Sequence, residues 1–263
     1  MTPSLNQGAF VEEAIRSVLL QGYPNLELIV MDGRSTDGSI EAIGKYSAWL
    51  ARWVCESDAG PANALNKGFR FATGEILGFL NADDLLLQGC LANVARAFRM
   101  HAGADVVSGH GFLKASSGLE TPSFSDRWDL ARFAYGACVL VQPATFFRRR
   151  TFQMIDGFNE KNRTCWDMEL WADMALAGAA FRSVDDFWAA FRLHADSISR
   201  SPRLRRQRLQ DTRVVRQKVT GRPEATGDRL YSLLHRIRKF SGHPRRTLRQ
   251  RLLLHTTLGR WSV

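Results

Sequence analysis

No apolar stretch in this 263-residue chain approaches the roughly 20 residues that span a bilayer. The longest candidates, such as ACVLV at 137–141, have the length of a strand, so no transmembrane segment is expected. A basic segment followed by an apolar core is missing from MTPSLNQG, so no secretory signal is expected either. Cysteine is scarce. Cys55, Cys90, Cys138 and Cys165 stand far apart without a CxxC pair, which argues against zinc and a disulfide framework and fits a reducing cytoplasm. The sequence also lacks GxxxxGK[ST], HExxH and GxSxG, and GHGFLK at 109–114 lacks the third glycine of GxGxxG. P-loop NTPases, dinucleotide dehydrogenases, zincins and serine hydrolases thereby lose their anchor.

What is present is an ordinary globular composition, 45% hydrophobic and 24% charged, enough to bury a real core. Charge is divided unevenly. Residues 200–263 carry 18 basic and 3 acidic side chains, a local excess larger than the +10 of the whole chain, whereas residues 1–199 are mildly acidic. This asymmetry predicts a globular domain over 1–199 and a basic, mainly helical extension over 200–263. Within the extension, Leu230, Leu233, Leu234 and Ile237 fall at helical spacing among Arg229, Arg236, Arg238 and Lys239, the pattern of a basic amphipathic helix. Such a helix suits either an anionic membrane surface or packing against the body. Nucleic-acid binding is not expected, because stacking aromatics do not interleave with the arginines.

The body alternates helix and strand. Phe10, Val11, Ala14, Ile15, Val18 and Leu19 share one helical face, ended by Gly22 and Pro24. LELIVM (26–31) reads as a buried strand, with Asp37 or Ser35 available to cap a helix from about Ser39. RWVCE (52–56), a helix with Pro61 in its first turn, and the strand GEILGFL (74–80) repeat the cycle. A helix at about 88–100 and strands near 104–108 and 111–115 follow. This order predicts an α/β fold with a mainly parallel sheet flanked by helices, whose ligands bind beyond the carboxyl ends of the strands.

Three strands in succession end in acids or amides: Asp32, then Asp58, then Asn81, Asp83 and Asp84. Carboxylates gathered at one sheet edge repel each other unless a cation or donors join them. Oxygen ligands without cysteine favour Mg²⁺ or Mn²⁺, ions that also take phosphate oxygens from a substrate. Each acid taken alone also fits a turn or cap residue.

TPSLNQG, DGRSTDGS, ESDAGPANALNKG, GFLNADD, QPATFFRR, IDGFNE, WDMELWADMALAG and FRLHADSIS resemble, in order and spacing, the family 2 glycosyltransferases of the GT-A fold. The likeness covers about residues 1–200. It implies a GT-A, Rossmann-like mixed sheet, a nucleotide diphosphate sugar donor (UDP-linked by default), inversion at the anomeric carbon, and Mg²⁺ or Mn²⁺. The family's first strand has four or five apolar residues ahead of Thr-Pro. Here Met1 directly precedes that segment, so either a natural start upstream or a truncated first strand is expected.

By the same resemblance, Thr2, Pro3 and Ser4 line the nucleotide base, Asp32 accepts a base N–H, and Asp58 borders the nucleotide. Asn66 and Lys67 approach the donor phosphates, although a lysine there also fits a solvated helix face. Asn81-Ala82-Asp83 occupies the family's Asp-x-Asp position. This makes Asp83 the direct metal ligand, Asn81 a donor-side contact and Asp84 a support or second ligand. His194 matches a histidine that closes the metal site in some relatives; standing alone it also fits a structural histidine. Asp167 matches the catalytic base at the start of a helix, where Asp is also a routine cap. Glu169, Trp171 and Asp173 continue the pattern. The chemistry needs these groups: a divalent ion offsets charge growing on the departing diphosphate, and a carboxylate takes the acceptor's proton.

The acceptor implied is a carbohydrate or lipid-linked hydroxyl, and the location cytoplasmic with peripheral contact at the inner membrane surface. Two other classes are kept open. One is a sugar nucleotidyltransferase on a similar sheet; the other is a non-catalytic protein whose basic tail binds membrane or nucleic acid.

Overall fold

The computed structural model describes residues 1–237 apart from 196, 200, 226, 229, 235 and 236. Strands β1 (Thr2–Ser4), β2 (Ile29–Asp32) and β3 (Arg52–Cys55) form a parallel sheet in the order β1-β2-β3. Thr2 pairs with Val30, and Ile29 with Arg52. Parallel neighbours need crossovers, which α1 (Val11–Leu19) and α2 (Ser39–Gly44) supply. In α1 the expected face forms as read, with Val11, Ala14, Ile15 and Val18 buried. The N-cap of α2 is Gly38. Asp37 lies just before it and accepts the Ser39 N–H at 3.1 Å. Helix α3 (Pro61–Phe69) begins on its proline and packs so closely that a Cβ on Gly68 would lie 3.0 Å from the Met31 side chain.

The second sheet has the order β4-β8-β6-β9-β5, with β7 on β6. Its strands are β4 (Ile76–Gly78), β5 (Leu85–Leu86), β6 (Val106–Ala115), β7 (Glu120–Ser123), β8 (Thr145–Arg148) and β9 (Phe181–Leu193). Here the expected parallel pattern gives way. Only β6 and β9 run parallel; β4–β8, β5–β9, β6–β7 and β6–β8 are antiparallel. The two strands expected near 104–108 and 111–115 are one strand, irregular at Ser108 and His110 rather than broken. The irregularity arises where a Gly109 Cβ would stand 2.5 Å from the Trp188 ring, so the backbone approaches the indole as only glycine allows. Helix α4 (Cys90–Met100) lies where expected, and α5 (Leu130–Ala134) and α6 (Arg149–Gln153) are short.

Two large apolar cores result, with a small third cluster of Ile29, Met31 and Ala64 between β2 and α3. One joins α1, β2 and α4 to Trp188; the other joins α3, β4 and β8 to α7 (Trp166–Leu176). The second is aromatic, with Phe147 meeting Phe69, Phe152 and Trp171 at centroid distances of 5.7–5.9 Å. Helix α8 (Arg205–Thr220), within the basic segment, contributes fully buried Val215 to that core. Of the expected amphipathic helix at 229–240, Leu230, Leu233, Leu234 and Ile237 are exposed, while Arg229, Arg236, Arg238 and Lys239 lie outside the described residues. Among the described residues no helix is long and apolar enough to cross a membrane.

Phe147 is wholly buried against aromatic neighbours. Phe147→Ala is expected to cost about 3–5 kcal/mol, read as a lower urea midpoint at unchanged slope.

Candidate active site

The carboxyl ends of β1, β2 and β3 meet through hydrogen bonds centred on Asp32. Its carboxylate is almost wholly buried and accepts from Ser4 Oγ (3.0 Å), Ser35 N (2.8 Å) and Ser35 Oγ (2.7 Å). A buried carboxylate is tolerated only with such donors. Ser35 Oγ in turn accepts the Asn6 N–H, and Asn6 Oδ1 accepts the Thr36 N–H. Asn6 and Arg34 both adopt left-handed φ, 52° and 67°, so backbone strain concentrates in these two laced loops. Asp32 therefore spends its oxygens inside the protein, shaping Thr2, Pro3 and Ser4, instead of presenting them outward.

Asp58 lies against the same edge. A Cβ on Gly33 would stand 2.7 Å from Asp58 Oδ2, and Asp58 Oδ1 accepts the Gly60 N–H at 2.7 Å. Asn66 and Lys67 are committed elsewhere. Asn66 donates to Phe158 O and Glu160 and accepts the Phe158 N–H, pinning the 158–160 loop. Lys67 pairs with Glu56 at 2.8 Å.

The segment 81–84 follows β4 beside β1, since the Leu80 N–H donates to Met1 O at 2.9 Å. Asp83 Oδ2 lies 2.9 Å from His194 Nε2, so residues 111 positions apart face each other. Asp84 turns the other way. It is buried, with Oδ1 accepting the Arg192 N–H and Oδ2 accepting from Asn81. Burial, reinforced by the charge of Asp83, pushes its carboxyl well above the usual range. This geometry supports Asp84 in a positioning role, not in direct ligation.

Two side chains unmarked by sequence reasoning complete this side. Gln142 accepts from Asn81 Nδ2 (2.9 Å) and donates to Phe79 O (2.8 Å). Arg192 donates to Asp83 O and to Glu13, and its guanidinium lies over the Phe10 ring, which is 4.8 Å from the His194 ring. A polar residue on a turn just ahead of an apolar strand, as in QPATFF, was the available signal for Gln142.

Asp167 stands in the first turn of α7. It is only partly exposed, and desolvation raises its carboxyl above the ordinary value. The loop leading to it borders the Asp58 loop, because an Arg163 guanidinium nitrogen stands 2.7 Å from where a Gly60 Cβ would be. Asn63 bridges to Glu160 at 2.9 Å in the same place. One helical turn in, Glu169 is buried and accepts from Asn159, Asn162 and Lys218. Burial alone would raise the Glu169 carboxyl, but these donors outweigh it and hold it below the usual range.

The arrangement is a rim with an imidazole–carboxylate pair at one side and a desolvated acid at the other. As a metal site, Asp83 and His194 offer one carboxylate and one imidazole, and no group of three potential ligands gathers among the described residues. That donor set fits a divalent ion drawing its remaining ligands from phosphate oxygens and water.

The ends of three parallel strands and an acid-bearing helix frame this site, and comparison identifies the family as one of glycosyltransferases. The model of glycosyl transferase family 2 matches residues 1–162, and the chain belongs to that family. It is similar to the PGL/p-HBAD biosynthesis glycosyltransferase of Mycobacterium tuberculosis, 30% identical over 174 residues, 64% of this chain and 66% of that protein. The chain thus spans just under two thirds of that relative. The fold is GT-A. S. aureus TarS 1–349 in complex with UDP-GlcNAc superposes with a TM-score of 0.69 at 18% identity, covering 98% of this chain and 75% of that one. Mannosyltransferase PcManGT from Pyrobaculum calidifontis, in complex with GDP-Man and Mn²⁺, gives 0.65 at 21% identity, covering 100% and 75%.

Because folding raises the Asp167 carboxyl, the folded chain keeps a proton there that the unfolded chain loses near pH 4. Stability contributed by the protonated form is expected to fall as pH rises from about 4 through the raised value. In Asp167→Asn this fall disappears. Urea titrations at stepped pH, taken as wild type minus variant, measure it.

Proposed function

We propose that the protein transfers a sugar from a UDP-linked or other nucleotide diphosphate donor to an acceptor hydroxyl, with inversion. The single observation that carries this reading is the pairing of Asp83 with His194 on a rim whose far side bears the desolvated Asp167. The relatives support it: one is a PGL/p-HBAD biosynthesis glycosyltransferase, and two structural neighbours are complexes with UDP-GlcNAc and with GDP-Man and Mn²⁺.

In this reading Thr2, Pro3 and Ser4, held by Asp32, form the wall for the nucleotide, and Asp58 borders it. Asp83 and His194 would hold Mn²⁺ or Mg²⁺, which when bound offsets negative charge on the diphosphate. Asn81, oriented by Gln142, faces the donor. Asp167 removes the proton from the acceptor hydroxyl as it attacks opposite the leaving group; its raised carboxyl brings its proton affinity nearer neutrality, which suits a general base. The acceptor is a glycolipid or polysaccharide hydroxyl. Exposed Leu230, Leu233 and Leu234 within a strongly basic segment support peripheral contact with an anionic membrane.

A panel of UDP-glucose, UDP-galactose, UDP-GlcNAc and GDP-mannose with Mn²⁺ tests the reading by binding and by release of nucleoside diphosphate. Asp83→Ala is expected to abolish Mn²⁺-dependent donor binding. Asp167→Asn is expected to bind donor while turnover falls about 10²–10⁴-fold. Release of pyrophosphate, or donor binding indifferent to Asp83→Ala, would overturn the assignment.

A further inference from the structure

Helix α8 belongs to the basic segment and carries six Arg or Lys side chains but one acid, Asp211. That acid does not face solvent. Asp211 is 6% exposed, and its Oδ2 accepts from Thr164 Oγ1 at 2.6 Å, Thr164 N at 3.1 Å and Arg163 N at 3.2 Å. Its Oδ1 accepts from Gln207 on its own helix at 2.7 Å. Asp211 thus meets two successive backbone N–H groups and a hydroxyl in the stretch immediately ahead of α7.

That stretch needs an outside partner. Cys165, the N-cap of α7, provides no side-chain cap, and the N–H groups of Arg163 and Thr164 lie ahead of the helix, where backbone donors drawn from water need a partner from elsewhere. Asn162 Oδ1 takes the Cys165 N–H at 2.8 Å, so Asn162 and Asp211 between them satisfy residues 163–165. Further along α8, Val215 is buried in the aromatic core and Lys218 donates to Glu169 and Asp173 at 2.7 Å. Residues 211, 215 and 218 lie on one helical face at i, i+4 and i+7. One end of that face holds the chain entering α7 and the other holds its first two turns, with Asp167 between.

We propose that Asp211 is a positioning residue for Asp167, fixing the 163–165 backbone from which the acid projects and making α8 part of the acceptor half of the site. This rests on Asp167 acting as the base. Charge-assisted hydrogen bonds of this length hold a backbone more firmly than neutral ones, and small displacements of a reacting group cost large factors in rate.

The test uses the full chain carrying Asp211→Asn, Asp211→Glu or Thr164→Val, with Asp167→Asn in parallel. Amide exchange at 163–167 is followed by mass spectrometry, and turnover is followed with the sugar nucleotide panel. In Asp211→Asn, exchange at 163–167 is expected to quicken tenfold or more with the β-strands unchanged, while kcat falls at least tenfold and donor KM stays within twofold. Asp211→Glu is expected to recover part of kcat. Thr164→Val, which leaves α8 untouched, shifts both readouts in the same direction by less, and decides the matter if Asp211→Asn fails to fold. Exchange and kcat within twofold of wild type in both Asp211→Asn and Thr164→Val would overturn the proposal, as would a loss of kcat matched by an equal rise in donor KM. Wild-type turnover in Asp167→Asn would instead sink the base assignment, and the exchange measurement would still report whether Asp211 orders the segment.

Discussion

A carboxylate withdrawn from water must be met by donors, and that requirement organises this molecule. Asp32, Asp84, Glu169 and Asp211 are all nearly inaccessible, and each is met by hydrogen-bond donors from parts of the chain distant in sequence. Desolvation of an unpartnered carboxylate would cost several kcal/mol, more than most single contacts contribute. Each buried acid therefore draws a second loop to itself. Asp32 joins β1 to the loop after β2, Asp84 joins the 81–84 turn to β9, Glu169 joins α7 to the 159–162 loop, and Asp211 joins α8 to the entry of α7.

The partly exposed acids Asp83 and Asp167 stand beside this buried set. Asp83 is available to His194 because its neighbour Asp84 is anchored inward, and Asp167 is held in place because Glu169, on the same helix, is fixed. A wholly buried carboxylate and a partly exposed one stand close together in sequence at both places. This is a simple way to place a charge without letting its backbone wander.

Much of the fold was legible beforehand where the signal is local. The face of α1 showed in its 3.6-residue period and α3 in Pro61, whereas the acids after the strands look alike in sequence and part in the structure, Asp32 turning inward and Asp83 meeting His194. What was not legible depends on partners remote in sequence. Asn66 looks available to a ligand until the 158–160 loop arrives, and Asp84 is indistinguishable from Asp83 until β9 presents the Arg192 N–H. The glycine in SGHG reads as a break, yet β6 continues through it because Trp188 needs the room. The antiparallel pairs of the second sheet were missed for the same reason: pairing direction is set by where the chain returns, not by strand composition.

The presence of two apolar cores has an evolutionary implication. Helices α1 and α4 rest on one, with Val30 of β2, while α7 and α8 rest on the other. Drift in the packing beneath α7 and α8 can reshape the space around Asp167 while the Asp32 hydrogen bonds, anchored to β1 and the loop after β2, stay as they are. Under the function proposed above, a lineage built on this scaffold can exchange acceptors and keep its donor.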